Sequence, residues 1–307
     1  QPNEGPPKTQ IDTRWADKIH HGDSQGKNQP SNESQPRQKH PTRVEASWLC
    51  PVLVLLVHVI SVLLANGGLC QLAKVCLQIL CSAGLKPWQN EAMKITKFGH
   101  ACLEFEENGQ RLILDPGMYT QPIENRKAVQ AVVITHIHDD HCYEEQLDRI
   151  IEANPGIAIY GTDEVCKRLA ASRPNFKLNP VHHGDFYAVG NFTLEFFGDM
   201  HAEIHRSIPL VQNCGVMVNG KLYYPGDSFT QPDREVEILA CPASAPWLKI
   251  SEVMDFIAAV KPKRCFPTHN IHLSEFGNQL NNGRIQAVTE QNGGKYEWLQ
   301  IGESTEI

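Results

Sequence analysis

Beyond residue 92, apolar and polar residues alternate in two rhythms, one typical of strands and one typical of helices. Residues 93–98 and 102–106 alternate as half-buried strands do, and Asn108-Gly109 supplies a hairpin turn before residues 111–115. Residues 131–135 (AVVIT) form a continuous β-branched run, which is typical of a strand buried on both faces. Further strands are predicted at 157–160, 192–197, 216–218, 221–224, 235–241, 264–268 and 295–301, and helices at 143–153, 164–171, 250–260 and 284–291. This order predicts an α/β (α+β) protein with helices on the outer faces of its sheets.

Residues 1–92 have a different pattern and form a predicted extension. Residues 1–48 are rich in Gln, Asn, Pro and Ser without apolar periodicity, and we expect disorder there because such a segment cannot bury a core. Residues 49–66 are nearly all apolar, close to the lower limit of about 18 residues for a membrane helix. The chain starts with Gln1 and its first Met is Met93, so we expect residues 1–92 not to belong to the native protein. The alternatives are a membrane anchor at 49–66 and a soluble helical hairpin.

Charge follows the same division of the chain. Residues 1–92 hold 9 Lys+Arg and 7 Asp+Glu, a balance of +2, whereas residues 93–307 hold 19 and 28, a balance of −9. An acidic domain argues against an unaided electrostatic grip on nucleic acid or anionic membrane. The six Cys after residue 92 lack CxxC spacing, so we expect reduced intracellular thiols rather than a disulfide framework.

Candidate chemistry is concentrated directly after the predicted strand 131–135. Residues 136–141 (HIHDDH) form an HxHxDH pattern. Because side chains alternate along an extended chain, His136 and His138 point to one side and can share a cation. Asp140 and His141 can face a second cation where the chain turns. Imidazole and carboxylate ligands suit Zn²⁺, and also Fe or Mn.

Two metal ions need further ligands, and three candidates each follow a later predicted strand. They are His201, Asp227 and His269. Each would lie at the sheet edge that carries the HxHxDH loop, where a scaffold of strands fixes the loops that carry chemistry. An Asp at such a position could bridge two cations through its two oxygens.

Residues 93–307 resemble the metallo-β-lactamase superfamily, in which HxHxDH is followed by a later His, a GD pair and a late PxH. More narrowly, they are similar to the uncharacterised bacterial metal-dependent hydrolase branch related to L-ascorbate-6-phosphate lactonase. The supporting motifs are Phe98-Gly99-His100-Ala101, Leu114-Asp115-Pro116-Gly117, His201-Ala202-Glu203-Ile204-His205, Tyr224-Pro225-Gly226-Asp227-Ser228 and Ala245-Pro246-Trp247-Leu248-Lys249. The resemblance does not extend to residues 1–92.

The resemblance implies an αββα sandwich with a dinuclear site at the sandwich edge. It implies two divalent metal ions, with Zn expected and Mn or Fe as alternatives. The implied first site is His136, His138 and His201, the second is Asp140, His141 and His269, and Asp227 bridges them. The redox-active di-iron relatives usually carry Glu where this chain has His138, which favours hydrolysis.

These observations together predict a dinuclear metal-dependent hydrolase. A hydroxide between two metal ions, formed as the pKa of water falls from ~15.7 toward ~7, would attack an ester, lactone or phosphodiester of a small anionic substrate, with Asp140 orienting it. The alternatives are a non-catalytic metal-binding or sensor protein with the same fold, and a nuclease or phosphodiesterase. We expect no nucleic-acid partner, a cytoplasmic domain at 93–307, and membrane contact only if residues 49–66 are native. A homo-oligomer is a further possible assembly.

Several residues near these motifs compete for a role. His205 follows His201 by four residues, and we favour His201 as the ligand because it comes sooner after its strand. His205, His100 and Asp115 are expected to face substrate or to support the ligands. We expect His182-His183 to lie on the surface.

A thiol nucleophile and an anion-binding patch are the remaining candidates. Cys142 follows the ligand run, but a metal site would already supply the nucleophile. Lys249, Lys261, Lys263 and Arg264 could hold an anionic substrate, and the alternative is a solvated charged face around helix 250–260.

Overall fold

The computed structural model describes residues 92–307. The predictions for residues 1–91, including disorder over 1–48 and the apolar segment 49–66, lie outside the described residues. Within residues 92–307, no helix combines the length and the apolarity that crossing a membrane requires.

The described part of the chain contains two seven-stranded sheets. The first is made of β1 (Lys94–Lys97), β2 (Leu103–Glu107), β3 (Gln110–Leu114), β4 (Val129–Ile134), β5 (Ala158–Gly161), β6 (Lys177–Pro180) and β14 (Ser304–Glu306). Its order is β14-β1-β2-β3-β4-β5-β6. The second is made of β7 (Phe186–Val189), β8 (Phe192–Phe197), β9 (Gly215–Val218), β10 (Leu222–Tyr224), β11 (Ile238–Pro242), β12 (Arg264–Thr268) and β13 (Lys295–Tyr296), in the order β13-β12-β11-β10-β9-β8-β7.

Four helices cover the outer faces of the two sheets. They are α1 (Glu144–Ala153), α2 (Asp163–Ser172), α3 (Ile250–Val260) and α4 (Glu275–Gln291). Val133 of β4 belongs to the core between the sheets, whereas Ile134 belongs to the core under α1 and α2. In the second sheet Tyr224 faces the first sheet, and Tyr223 belongs to the core under α3 and α4. This alternation on both sheets is what a strand buried on two faces requires, and it confirms the predicted αββα sandwich.

Strand direction decides where the loops lie. In the first sheet β3, β4 and β5 run parallel, and in the second β10, β11 and β12 do. β8 runs with β10 because two antiparallel pairings separate them. The segments that follow these strands therefore leave each sheet at one end, the carboxyl edge. An isolated bridge between His136 and Asn213 joins the two sheets there.

The predicted elements differ from the structure mostly where strands are short or polar. β6, β7 and β14 were not expected, since these three- and four-residue strands lie at or near the sheet edges and are partly exposed. The last predicted strand, 295–301, is confined to two residues. Helix α4 begins at Glu275 rather than 284, although its first turns are rich in Asn and Gly, which have low helix propensity. The Ser274 hydroxyl caps it by accepting the Gly277 N–H at 3.1 Å.

Candidate metal centre

The structure brings all seven predicted ligands together at the carboxyl edge. Three groups have ligand atoms within 4.8 Å of one another: His136, His138 and His201; His136, His141 and Asp227; and His100, Asp140 and His269. The members come from segments after β1, β4, β8, β10 and β12, so both sheets contribute. We call the first group the His201 cluster and the third the His269 cluster.

Asp227 lies between the two clusters and faces both. Its Oδ2 is 3.4 Å from His201 Nε2 and 3.1 Å from His269 Nε2. Its Oδ1 is 3.3 Å from His141 Nε2. The Trp247 indole N–H donates to Oδ2 at 2.8 Å and fixes the plane of the carboxylate. The sequence indicated Trp247 only as part of a family motif. Nothing in the sequence predicts its contact with Asp227, because a single Trp in a loop follows no spacing pattern.

The ring nitrogens of the histidines are oriented for ligation. His141 Nδ1 donates to Asp115 Oδ2 at 2.6 Å, His269 Nδ1 donates to the Ser244 carbonyl at 2.6 Å, and His201 Nδ1 donates to its neighbour's carbonyl. An imidazole that donates through Nδ1 has a lone pair on Nε2 once it is neutral. The Nε2 atoms of these three rings are buried and have no hydrogen-bond partner. Buried polar atoms without partners are costly, so these convergent nitrogens and carboxylates fit a bound cation.

His100 is oriented in the opposite way. Its Nδ1 accepts the Ile271 N–H at 3.2 Å, so the ring proton lies on Nε2. That N–H faces Asp140 Oδ2 at 3.5 Å. Burial, which outweighs the nearby carboxylate, lowers the pKa of His100 to about 3. The ring is therefore neutral and presents a donor, not a lone pair, to the His269 cluster.

The pKa values of the ionisable side chains are shifted in different directions across the centre. Burial disfavours a proton on His269, yet Asp227 and Asp140 raise its pKa to about 9. His141 behaves similarly, because three carboxylates outweigh its burial and hold its pKa well above the usual value. Burial lowers the pKa of His136. Asp227 stays ionised although it is buried, because His269 and His141 hold its pKa well below the usual range. The ionised Asp227 therefore needs positive charge beside it, from protonated His141 and His269 or from a bound cation that replaces their protons.

Asp115 supports the ligand loop from β3. Its Oδ1 accepts the Thr135 N–H at 2.8 Å, and its Oδ2 accepts the Thr135 hydroxyl at 2.7 Å besides the His141 N–H. The carboxylate thus orients a predicted ligand and fixes the backbone before His136. Two residues later, a Cβ on Gly117 would lie 1.7 Å from the Asp140 carbonyl oxygen, so only glycine permits this close approach.

Two cationic side chains that sequence reasoning missed hold the ligand segments. Arg168 of α2 donates to the Ile137 carbonyl at 2.6 Å and pairs with Asp139 at 2.8 Å. Lys97 is buried and donates to the Pro267 carbonyl at 2.7 Å and the Asn270 side chain at 2.8 Å. These two acceptors flank His269, whose backbone is left-handed with φ +54°. Such a conformation costs roughly 1–2 kcal/mol, which the surrounding hydrogen bonds offset.

The other predicted candidates lie apart from the clusters. His205 is exposed and bonds Ser207, and His182 pairs with Asp163 on the surface. Cys142 is buried, and burial raises the pKa of its thiol to about 12, which disfavours a nucleophilic thiolate. Lys261, Lys263 and Arg264 lie at or before the start of β12, whereas His269 follows its end. Lys249 lies on the carboxyl edge, at the start of α3.

Comparison with known proteins matches residues 94–269 to the β-lactamase superfamily domain. Protein Rv0786c of Mycobacterium tuberculosis is 34% identical over 202 residues, which cover 64% of this chain and 93% of that protein. A UPF0173 metal-dependent hydrolase of Carboxydothermus hydrogenoformans is 29% identical over 195 residues, covering 58% and 84%. Among solved structures, the metallo-β-lactamase fold protein YhfI of Bacillus subtilis superposes with a TM-score of 0.55 at 15% identity. The match covers 71% of this chain and 100% of that chain.

The chain therefore belongs to the β-lactamase superfamily domain family, and its fold is the metallo-β-lactamase fold. The superfamily predicted from the HxHxDH motif and its downstream partners is confirmed. The narrower relation to L-ascorbate-6-phosphate lactonase stays a prediction.

Proposed function

We propose that this chain is a metal-dependent hydrolase with two divalent ions in the centre. His136, His138 and His201 would hold one ion, Asp140, His141 and His269 the other, and Asp227 both. The observation that carries the proposal is the set of buried Nε2 atoms without partners, which converge on ionised carboxylates. Family membership and the relative described as a metal-dependent hydrolase support the same reaction class.

Bound divalent ions would supply Lewis acidity and lower the pKa of a water molecule from ~15.7 toward ~7. The protein's own groups do the rest. Asp227 and Trp247 fix the centre between the clusters, and Asp115 keeps the His141 proton on Nδ1. The neutral His100 ring directs its Nε2–H at Asp140 Oδ2 from 3.5 Å, so we assign His100 as a residue that positions this carboxylate rather than a ligand.

The reaction that fits this centre is hydrolysis of an ester or lactone, with a phosphodiester as the further class to test. A negatively charged substrate is less well supported by the structure than the hydrolytic reaction is. Of the four candidate cations, Lys261, Lys263 and Arg264 lie at the amino end of β12, away from the centre. Lys249 pairs with Glu252 at 3.9 Å.

The proposal is tested on the full chain, stripped of metal and reloaded separately with Zn²⁺, Mn²⁺ or Fe²⁺. We expect two ions per chain by elemental analysis and hydrolysis of p-nitrophenyl esters or lactones. His201→Ala should lose one ion and most of the activity, whereas His205→Ala, a nearby exposed histidine outside the clusters, should lose neither. Metal binding without turnover on esters, lactones and bis-p-nitrophenyl phosphate would favour a non-catalytic metal protein instead.

A further inference from the structure

Exposed apolar side chains gather around the candidate centre. Six of the eleven large apolar side chains exposed in the described residues lie in the loops that follow β3, β8 and β12, and two more lie on α4. These loops are three of the segments that also carry the predicted ligands or their supports. The other three are distributed over β7 and the C-terminal segment.

Four of these side chains are tied directly to the centre, and we call them the apolar rim. They are Met118, Tyr119, Met200 and Ile271, which are 38%, 39%, 44% and 43% exposed. Clustered apolar exposure of this kind marks binding surfaces more often than scattered single residues do.

Each rim residue lies on a ligand segment or contacts one. The Met118 N–H donates to the Asp139 carbonyl at 2.8 Å, next to Asp140. The Tyr119 ring stands edge-on to His100, with ring centres 5.5 Å apart. Met200 directly precedes His201 in the chain.

Ile271 completes the rim on the side of the His269 cluster. Its N–H is the donor to His100 Nδ1, and it follows His269 by two residues. Backbone hydrogen bonds thus hold Met118 and Ile271 beside the ligand segments, and a ring contact holds Tyr119 there.

The cations on the same edge differ in how closely they are paired. Arg168 pairs with Asp139 at 2.8 Å and with Glu144 at 3.3 Å. Lys249 lies near Glu252. Arg206, in the segment after β8, is exposed. The rim thus offers apolar surface at the centre, while Lys249 and Arg206 are exposed cations that an anionic substrate could use instead.

We propose that the rim binds an apolar acyl or aryl group of the substrate, whose ester or lactone bond lies at the His201 and His269 clusters. This inference rests on the proposed hydrolase function and specifies its substrate class. A fully buried methylene favours binding by about fourfold, and a rim that stays partly open should give about twofold.

The experiment uses the metal-loaded full chain and p-nitrophenyl esters from acetate to octanoate. We expect kcat/KM to rise about two- to fourfold per methylene from propionate to hexanoate. Met200→Ser and Ile271→Ser should each flatten that rise. Phe186→Ser, which changes an exposed apolar residue on β7, should leave it unchanged. A binding readout that needs no turnover is calorimetry, in which octanamide should bind more tightly than propanamide, and the difference should shrink in Ile271→Ser.

The outcomes separate the two proposals. If no ester, lactone or phosphodiester is hydrolysed, the hydrolase function is wrong. If esters are hydrolysed with a flat chain-length profile, the rim does not bind the substrate. A preference for an anionic succinyl ester over its butyryl counterpart that Arg206→Ala abolishes would likewise overturn the apolar assignment and restore the anionic one.

Discussion

The pKa values of the histidines in the two clusters are shifted by different physical effects. The His201 cluster consists of three imidazoles, and burial lowers the pKa of His136 and His138 so that they are neutral. The His269 cluster contains a carboxylate, Asp140. Asp227 and Asp140 raise the pKa of His269 to about 9, whereas burial lowers the pKa of His100, its neighbour in the cluster. Desolvation keeps His136 and His138 neutral, whereas neighbouring carboxylates keep His269 protonated.

This difference gives the two sites different sensitivities. Neutral His136 and His138 have no proton to release when a cation binds, whereas a protonated His269 must release its proton first. We therefore expect the His269 cluster to respond more strongly to changes in charge and pH. The following predictions test that comparison in order of expected effect.

Loss of the shared carboxylate should have the largest effect. Asp227→Ala removes the group that faces His201, His141 and His269, so neither ion keeps its full ligand set. We expect metal content to fall from two ions toward none and hydrolysis to fall by more than ~100-fold, beyond the range for an outer supporting residue. Elemental analysis and ester turnover measure this. Retention of one tightly bound ion would show that Asp227 belongs to a single site.

Asp115→Asn should weaken the second predicted site alone. The amide would present an N–H₂ group to His141 Nδ1 and move the ring proton to Nε2, where it blocks the lone pair. We expect a loss of ~10–100-fold in affinity for one ion, measured by titration against a chromophoric chelator. Asp148→Asn on α1 is the matched control. Equal losses at both sites would mean that Asp115 acts on the whole loop through Thr135.

The pH dependence of metal affinity should separate the clusters. Below pH about 9, His269 is protonated in the metal-free chain, so a cation must displace its proton and affinity falls as pH falls. Each displaced proton corresponds to about tenfold per pH unit, and His141, whose pKa is also raised, adds a second proton to this site. Chelator titrations between pH 6 and 9 should show the steeper slope in His201→Ala, which keeps the His269 cluster, and the shallower slope in His269→Ala. Identical slopes would contradict the assignment.

His100→Ala should have the smallest effect on metal content. If His100 is a donor to Asp140 and not a ligand, the variant keeps two ions while kcat falls and KM changes little. Nitrogen-15 NMR of the histidine rings should show the proton on Nε2 for His100 and on Nδ1 for His141. Loss of one ion, with rescue by a Cys or Asp at position 100, would make it a ligand.

The sequence was informative where chemistry repeats at short spacing. Residues 136–141 contain four candidate ligands directly after a β-branched run. Because side chains alternate along an extended chain, the sequence also predicts which of these ligands point to the same side. His201, Asp227 and His269 were found by the same rule, that each follows a strand.

Contacts made only by tertiary structure could not be predicted. Lys97, Arg168 and Trp247 are single residues far in sequence from the groups they touch, and no spacing distinguishes them from other Lys, Arg and Trp. The direction of the His100 ring was open for the same reason, because it depends on the Ile271 N–H some 171 residues away. The start of α4 was missed because packing overrides weak local propensity.

The missing side chain at Gly117 defines what can be varied in this scaffold. Since no Cβ fits against the Asp140 carbonyl, residues 115–117 and 135–141 must change together or not at all. A mutant library aimed at new substrates should leave these two segments intact and diversify the loops after β8 and β12. Gly117→Ala included in such a library would report, through loss of bound metal, how tightly the two segments are coupled.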